Sequence, residues 1–396
     1  MSPAAASGPC GSGAGCWAVA WIAIRVVGCP NTPTPTSATA RHTMIDARLT
    51  RREALSLIGR GAMAVGAGAV AAGGPAPLAA QQRFSSAEPP DFPNGAIIRT
   101  LQGDVDPAEL AEGATLFHEH VGRADIDLAV EELSACAFDG LGCIVDAATG
   151  RRTGEEVRNL QAIADRSEVR IVAAGSYFQD IGFAVYPVRV AEMSEDDLVE
   201  ELVADAAAQR WGAFGEIASS LEMRPDERKV HRAVARAHLR TGLPIFTHTP
   251  HESCPSCAME QMDVIEGVGV DLSHVVIGHM ATIKPEHDPL GTHRVVAERG
   301  AFVGLDTLGH EMGRSDIPAA DKVRMVQDLL DAGLEDHILL SSDMGNVRQF
   351  KRFYGHGWAS VLMQFVPKLR FAGVPEETIR KILVDNPRRF LAFVPV

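Results

Sequence analysis

Cysteine is scarce in this chain: there are seven in 396 residues, at positions 10, 16, 29, 136, 143, 254 and 257. Cys10, Cys16 and Cys29 precede the export-like segment described below, so at most Cys136, Cys143, Cys254 and Cys257 serve the bulk of the protein. Four thiols cannot staple a domain of this size, so the fold must rest on a hydrophobic core. A hydrophobic content of 46% over 396 residues is enough for one large domain or two ordinary ones. Positive charge is also short: 37 Lys and Arg face 51 Asp and Glu, for a formal net charge of -14. No basic stripe with interleaved aromatics occurs, which argues against nucleic acid as a partner. The one apolar run of the first 43 residues, CWAVAWIAIRVVGC, is 14 residues long and contains Arg25. A bilayer span needs roughly 20 apolar residues, so stable membrane insertion of a mature protein is not expected. Neither GxGxxG nor GxxxxGK[ST] follows a strand-like segment, which removes the usual phosphate-cradling loops.

What is present begins with a segmented N-terminus. Residues 1–43 are a low-complexity extension rich in Ala, Gly, Pro, Ser and Thr, and translation is expected to begin at Met44. From Met44, Arg51-Arg52 lead into an uncharged, Ala/Gly-rich stretch, Gly61 to Ala80, that ends on small residues. A basic pair, a weakly apolar segment and a small-residue end resemble a twin-arginine export signal over 44–80, which implies a periplasmic or extracellular protein. Residues 81–94, QQRFSSAEPPDFPN, read as a polar, proline-rich linker, so the working domain is expected at 95–396.

Within 95–396, short apolar β-branched runs alternate with longer amphipathic segments. The runs lie at 114–120, 142–148, 169–177, 213–218, 244–249, 275–280, 301–307 and 337–344, a spacing of 26 to 44 residues. Helical stretches are expected at 155–166, 196–210, 226–242 and 315–333. Eight near-continuous apolar strands, each followed by a helix, predict a parallel (β/α)8 TIM barrel. IIRT at 97–100 is expected in a small hairpin below it, and 375–393 as a helix broken at Pro387 before a short closing helix.

Polar residues recur where these strands end, the face on which barrels carry their active sites. His118 and His120 close the first run, with strand alternation putting both on one face and Glu119 on the other. Glu216 lies in the fourth run, His248 ends the fifth, His279 the sixth, and Asp343 the eighth. Alone, each would be read as a hydrogen-bonded rim residue. Together, four histidines and two carboxylates at matching positions of five strands predict a binuclear metal centre. Zinc suits these donors, and manganese, iron or cobalt would also fit. His42, His231, His238, His274, His287, His293, His337 and His356 lack that strand-end context.

At these residues the sequence resembles the phosphotriesterase-like family of the amidohydrolase superfamily, including the terminal GVPEETIRKILVDNPRRFL. The resemblance implies that His118, His120 and Asp343 hold one cation and His248 and His279 the other, with a strand-four residue bridging. Many relatives bridge with a carbamylated lysine; here Glu216 matches that position, as in the branch with a carboxylate bridge. The implied chemistry is hydrolysis by a hydroxide shared between two divalent cations, with Asp343 carrying its proton. The expected substrate is a small ester or lactone, with phosphotriesters or phosphodiesters as the alternative and a metal-dependent lyase as a remoter one. The resemblance also allows a homodimer.

Two further residues are pocket candidates. Asp306 follows the seventh strand, although Thr307 stands where lactonase-like relatives tend to place an arginine. Tyr177 matches a tyrosine that such relatives often hold near the metals. Either could instead serve locally, Asp306 by capping a turn and Tyr177 by packing the rim. Arg348, Lys351 and Arg352 after the eighth strand offer attraction for an anion or simply a solvated basic loop. Cys254 and Cys257 form a lone CPSC, readable as a disulfide or thiols pinning a loop, a redox pair or a metal clip. Cys136 and Cys143 are expected to be buried and apolar in character.

Overall fold

The computed structural model describes residues 90–180, 186–288, 291–309 and 317–396. The low-complexity extension, the twin-arginine-like segment and most of the linker lie outside the described residues. A two-stranded hairpin, β1 (Ile98–Thr100) and β2 (Gly103–Val105), comes first. Eight strands follow: β3 (Ala114–Glu119), β4 (Leu141–Asp146), β5 (Arg170–Gly175), β6 (Trp211–Ala218), β7 (Ile245–His248), β8 (Val275–Ile277), β9 (Phe302–Leu305) and β10 (Ile338–Leu340). Each pairs in parallel with the next in chain order. Helices α1 (Ile126–Phe138), α2 (Gly154–Ala164), α3 (Glu195–Ala208), α4 (Pro225–Thr241), α5 (Pro255–Glu266), α6 (Thr292–Glu298) and α7 (Ala319–Asp331) lie between the strands. This is the expected TIM barrel.

Local sequence explains where the helices begin. Thr153 with Glu156 and Ser194 with Asp197 form capping boxes that satisfy the first N–H groups of α2 and α3. Pro225 opens α4, where a missing N–H costs nothing, and Gly242 ends it at φ 76°. The strands are shorter than their apolar runs at the C-terminal ends of β8 and β10. There His279 and Asp343 adopt φ of 57° and 49°, leaving the extended conformation.

The ring is closed between β10 and β3 by directed polar contacts. Asp343 N donates to the His118 carbonyl at 3.1 Å, and His120 N donates to the Met344 carbonyl at 3.1 Å. The buried Glu119 carboxylate accepts from Ser341 Oγ, Ser342 N, Ser342 Oγ and Met344 N at 2.7 to 2.8 Å. Glu119 thus faces away from the barrel interior, as alternation requires, and clamps the last strand to the first.

Two apolar cores follow from the alternation. One fills the layer between strands and helices, including Leu116, Ile144, Ile171, Leu202 and Val234. The other packs the barrel interior below the polar face, where Phe117, Val145, Val172, Phe246 and Leu339 meet Ile98 of the hairpin and Phe390 and Leu391 of the C-terminus. Leu101 N donates to the Ile171 carbonyl at 2.8 Å, tying the hairpin to the start of β5.

The expected break at Pro387 does not occur. Helix Glu376–Arg380 runs through a wide π turn, Lys381–Asp385, into Asn386–Leu391, with Pro387 in the first turn of that last piece. The wider turn ahead of the proline accommodates its missing N–H and its ring, so the helical path continues. Cys136 and Cys143 are buried and free, with burial pushing both thiols up to about 12.

Candidate metal centre

The strand ends bring His118, His120, Glu216, His248, His279 and Asp343 into one polar cluster on the C-terminal face, each at most 7% exposed. Donor-capable atoms of His118, His120 and Asp343 lie within 4.8 Å of one another, as do those of His118, Glu216 and His279. Between them stands Glu216. Its Oε2 is 2.7 Å from His248 Nδ1 and 3.2 Å from His118 Nε2, and its Oε1 is 3.7 Å from His120 Nε2. Gly215 beside it has φ 154°, and a Cβ there would fall 2.4 Å from the Phe246 ring packed under the site. Gly278 is required before His279 for a similar reason, since its Cβ would lie 2.2 Å from the Thr247 carbonyl oxygen.

Burial alone would raise the carboxyl pKa values here, and the imidazoles reverse that effect. His118 and His248 hold Glu216 well below the usual carboxylate range, and His120, which bonds Asp343 Oδ1 at 2.8 Å, does the same for Asp343. Burial would lower His118, yet Glu216 and Asp306 raise it well above its ordinary value. His248 is lowered, first by burial and then by His279 nearby, so it offers a neutral nitrogen. His118 Nε2 is fully buried and has no well-directed hydrogen bond among the described residues. An orphaned imidazole nitrogen beside two ionised carboxylates fits a divalent cation.

Asp306 lies behind the imidazoles rather than in the mouth. Its carboxylate accepts from His118 Nδ1 at 3.0 Å, from His279 Nδ1 at 2.8 Å and from His279 N at 2.9 Å. Burial opposes its ionisation, but His279 and His118 hold it well below its ordinary value. Engaging the two Nδ1 atoms leaves each Nε2 as the donor that faces the cluster, so Asp306 orients the ligands.

Tyr177 is turned away from the cluster. Its hydroxyl donates to Glu201 and accepts from Arg189 Nη2 at 3.2 Å, in the layer between barrel and helices. The next residue faces the site instead: the Phe178 ring lies 4.9 Å from that of His248, edge to face. Tyr177 keeps the outward parity of Ile171 and Ala173, and Phe178 the inward parity of Val172 and Ala174, so alternation carried on from β5 separates them. Among the basic residues after β10, Lys351 pairs with Asp139 and Arg352 with Glu131, whereas Arg348 is exposed. Cys254 and Cys257 form a disulfide at the start of α5.

One residue of the cluster was missed by strand-end reasoning. His251, three residues beyond His248, has its ring centroid 4.2 Å from that of His279. The signal was the HTPH spacing at 248–251, which reads as loop because β7 has already ended. His231 and His238, by contrast, pack on α4 against the Glu227 and Leu243 carbonyls.

A profile of the phosphotriesterase family matches residues 96–391. The chain belongs to the phosphotriesterase family. It is 30% identical over 298 residues to the phosphotriesterase homology protein of Escherichia coli, covering 70% of this chain and 97% of that relative. It is 26% identical over 355 residues to N-acetyltaurine hydrolase of Rattus norvegicus, covering 75% and 98% respectively. Among solved structures, a lactonase from Listeria monocytogenes superposes with a TM-score of 0.64 at 26% identity, over 75% of this chain and 99% of that one. Within the amidohydrolase superfamily this family member is a metal-dependent hydrolase, and its His, Asp and Glu clusters are positioned for two metals.

Proposed function

We propose that this chain is a binuclear metal-dependent hydrolase that cleaves a small carboxylic ester or lactone. The observation that carries the reading is the shared carboxylate: Glu216 reaches His118 and His120 on one side and His248 on the other. In this reading His118, His120 and Asp343 hold one cation, His248 and His279 hold the second, and Glu216 joins them. Two divalent cations would lower the pKa of a water into the neutral range and polarise the bond to be cleaved. Asp343, kept ionised and oriented by His120, takes the proton that the attacking water releases. Asp306 fixes which nitrogens of His118 and His279 face inward. Phe178 covers one side of His248 and limits bulk water there.

The test is metal analysis of purified chain loaded with zinc, manganese or cobalt, followed by a panel of aryl esters, lactones, N-acetyl amides and phosphotriesters. Two bound ions per chain and the highest kcat/KM on an ester or lactone are expected. Two ions with turnover of amides alone would favour a second reading, which the N-acetyltaurine hydrolases among the relatives support. Turnover of phosphoesters alone would favour a third, which a phosphate in the active site of the Escherichia coli relative's crystal structure supports. Asp343→Asn with both metals and near-normal rates would remove its assigned role. Export is proposed from Arg51-Arg52 and the uncharged stretch after them. Arg51→Lys with Arg52→Lys should leave the protein in the cytoplasmic fraction, and unchanged export would refute the route.

A further inference from the structure

The two cation sites of the proposed centre are unequal as assigned above. The first has two imidazoles and Asp343, with an oxygen of Glu216 beside them. The second has His248, His279 and Glu216 Oε2, three protein donors against four in the first.

His251 stands beside the set with fewer donors. Ligand-capable atoms of His248, His251 and His279 lie within 4.8 Å of one another. The His248 and His279 rings are 4.2 Å apart, His251 and His279 also 4.2 Å, and His248 and His251 5.1 Å. Three imidazoles from one short stretch and the end of β8 therefore converge on a single volume. His251 Nε2 is also 3.9 Å from Asp343 Oδ2, at the border of the first site.

The chain that carries His251 is pinned on both sides. Upstream, Thr249 Oγ1 donates to the Gly278 carbonyl at 2.9 Å, and Gln261 Nε2 donates to the His248 carbonyl at 3.0 Å. Downstream, Ser253 Oγ accepts from Lys284 N at 2.9 Å, and Cys254 is bonded to Cys257. A loop tied to the β8 loop twice and to α5 by a disulfide holds the backbone at His251 in place, so little backbone ordering entropy is lost on binding. The side chain is 29% exposed, against 9% for His248 and none for His279, which puts it on the open side of the site.

We infer that His251 is a third nitrogen ligand of the second cation site, so that this site is built from His248, His251, His279 and the Glu216 carboxylate. This rests on the binuclear reading and adds to it a ligand from beyond the strand end. Because His251 is the outermost of the three, it closes the second site toward solvent and slows loss of that ion.

The full chain, stripped of metal and titrated with cobalt, tests this through bound metal per chain and the visible spectrum of each equivalent. Wild type should take up two ions. His251→Ala and the bulkier His251→Phe should keep the first equivalent with its spectrum, bind the second about 100-fold more weakly, and change the second spectrum. Adding imidazole to His251→Gly should restore that spectrum. Two ions held with wild-type affinity and unchanged spectra in both the Ala and Phe variants would overturn the assignment while leaving the binuclear centre standing. Fewer than two ions in wild type would overturn the centre and this ligand together.

Discussion

Replacing Glu119 by alanine should damage both the barrel closure and the first cation site. Burial pushes this carboxyl up from 4.5 to about 7, against the opposing pull of Met344, Ser341 and Ser342. Its loss orphans the Ser342 and Met344 amides, each now 2.7 Å from a Glu119 oxygen. An unsatisfied buried N–H costs about 2 kcal/mol, so the pair amounts to roughly 4 kcal/mol. At about 2 °C per kcal/mol for a large domain, Tm should fall by roughly 8 °C. Asp343 sits between those two amides in a left-handed conformation, φ 49°, so the loss should reach the metal as well. Affinity for the ion held with His118 and His120 should weaken by about tenfold or more. Because the folded pKa is raised, this carboxyl's contribution to stability is complete below 4.5 and shrinks as pH climbs through about 7. In Glu119→Gln that pH dependence should vanish. Thermal melts of both variants between pH 4 and 8, with metal content measured alongside, decide the matter. A Glu119→Ala protein that melts within about 2 °C of wild type and binds metal normally would refute the clamp.

Asp306→Asn should leave the fold intact but weaken metal binding by about 10- to 100-fold, because His118 and His279 lose the carboxylate that selects their tautomers; unchanged affinity in a chelator competition would contradict this. The metal-free protein should hold a proton on His118 above its ordinary range, since Glu216 and Asp306 outweigh burial there. Cation uptake must displace that proton, so affinity should fall as pH falls, and calorimetry in buffers of different ionisation enthalpy should register proton release; none at neutral pH would count against the assignment. By the same linkage, the metal-free fold keeps this histidine's contribution below pH 6.5 and loses it as pH rises through the raised value. Tyr177→Phe should leave kcat and KM unchanged while costing about 1 kcal/mol through the lost bond to Glu201; a selective drop in kcat would return Tyr177 to the pocket.

Patterning along the chain specifies the barrel and six of the clustered residues. Alternating apolar runs and amphipathic segments at a steady spacing leave little choice of architecture. A polar side chain at the end of a buried strand points to the same rim from whichever strand it comes, so His118, His120, Glu216, His248, His279 and Asp343 could be assembled without coordinates. What depends on distances across the barrel had to come from the folded arrangement. Asp306 ends a strand like the others, yet it lies behind two imidazoles because β9 neighbours β8 in the ring. Tyr177 shares the outward parity of Ile171 and Ala173, a clue already present in the strand, but its anchoring by Glu201 and Arg189 appears only in three dimensions. The role of Glu119 depends on closure between the first and last strands, and His251 reaches the cluster through a loop tied to the β8 loop. Periodicity fixes direction along a strand. It carries no information about which residues meet once the sheet has curled round on itself.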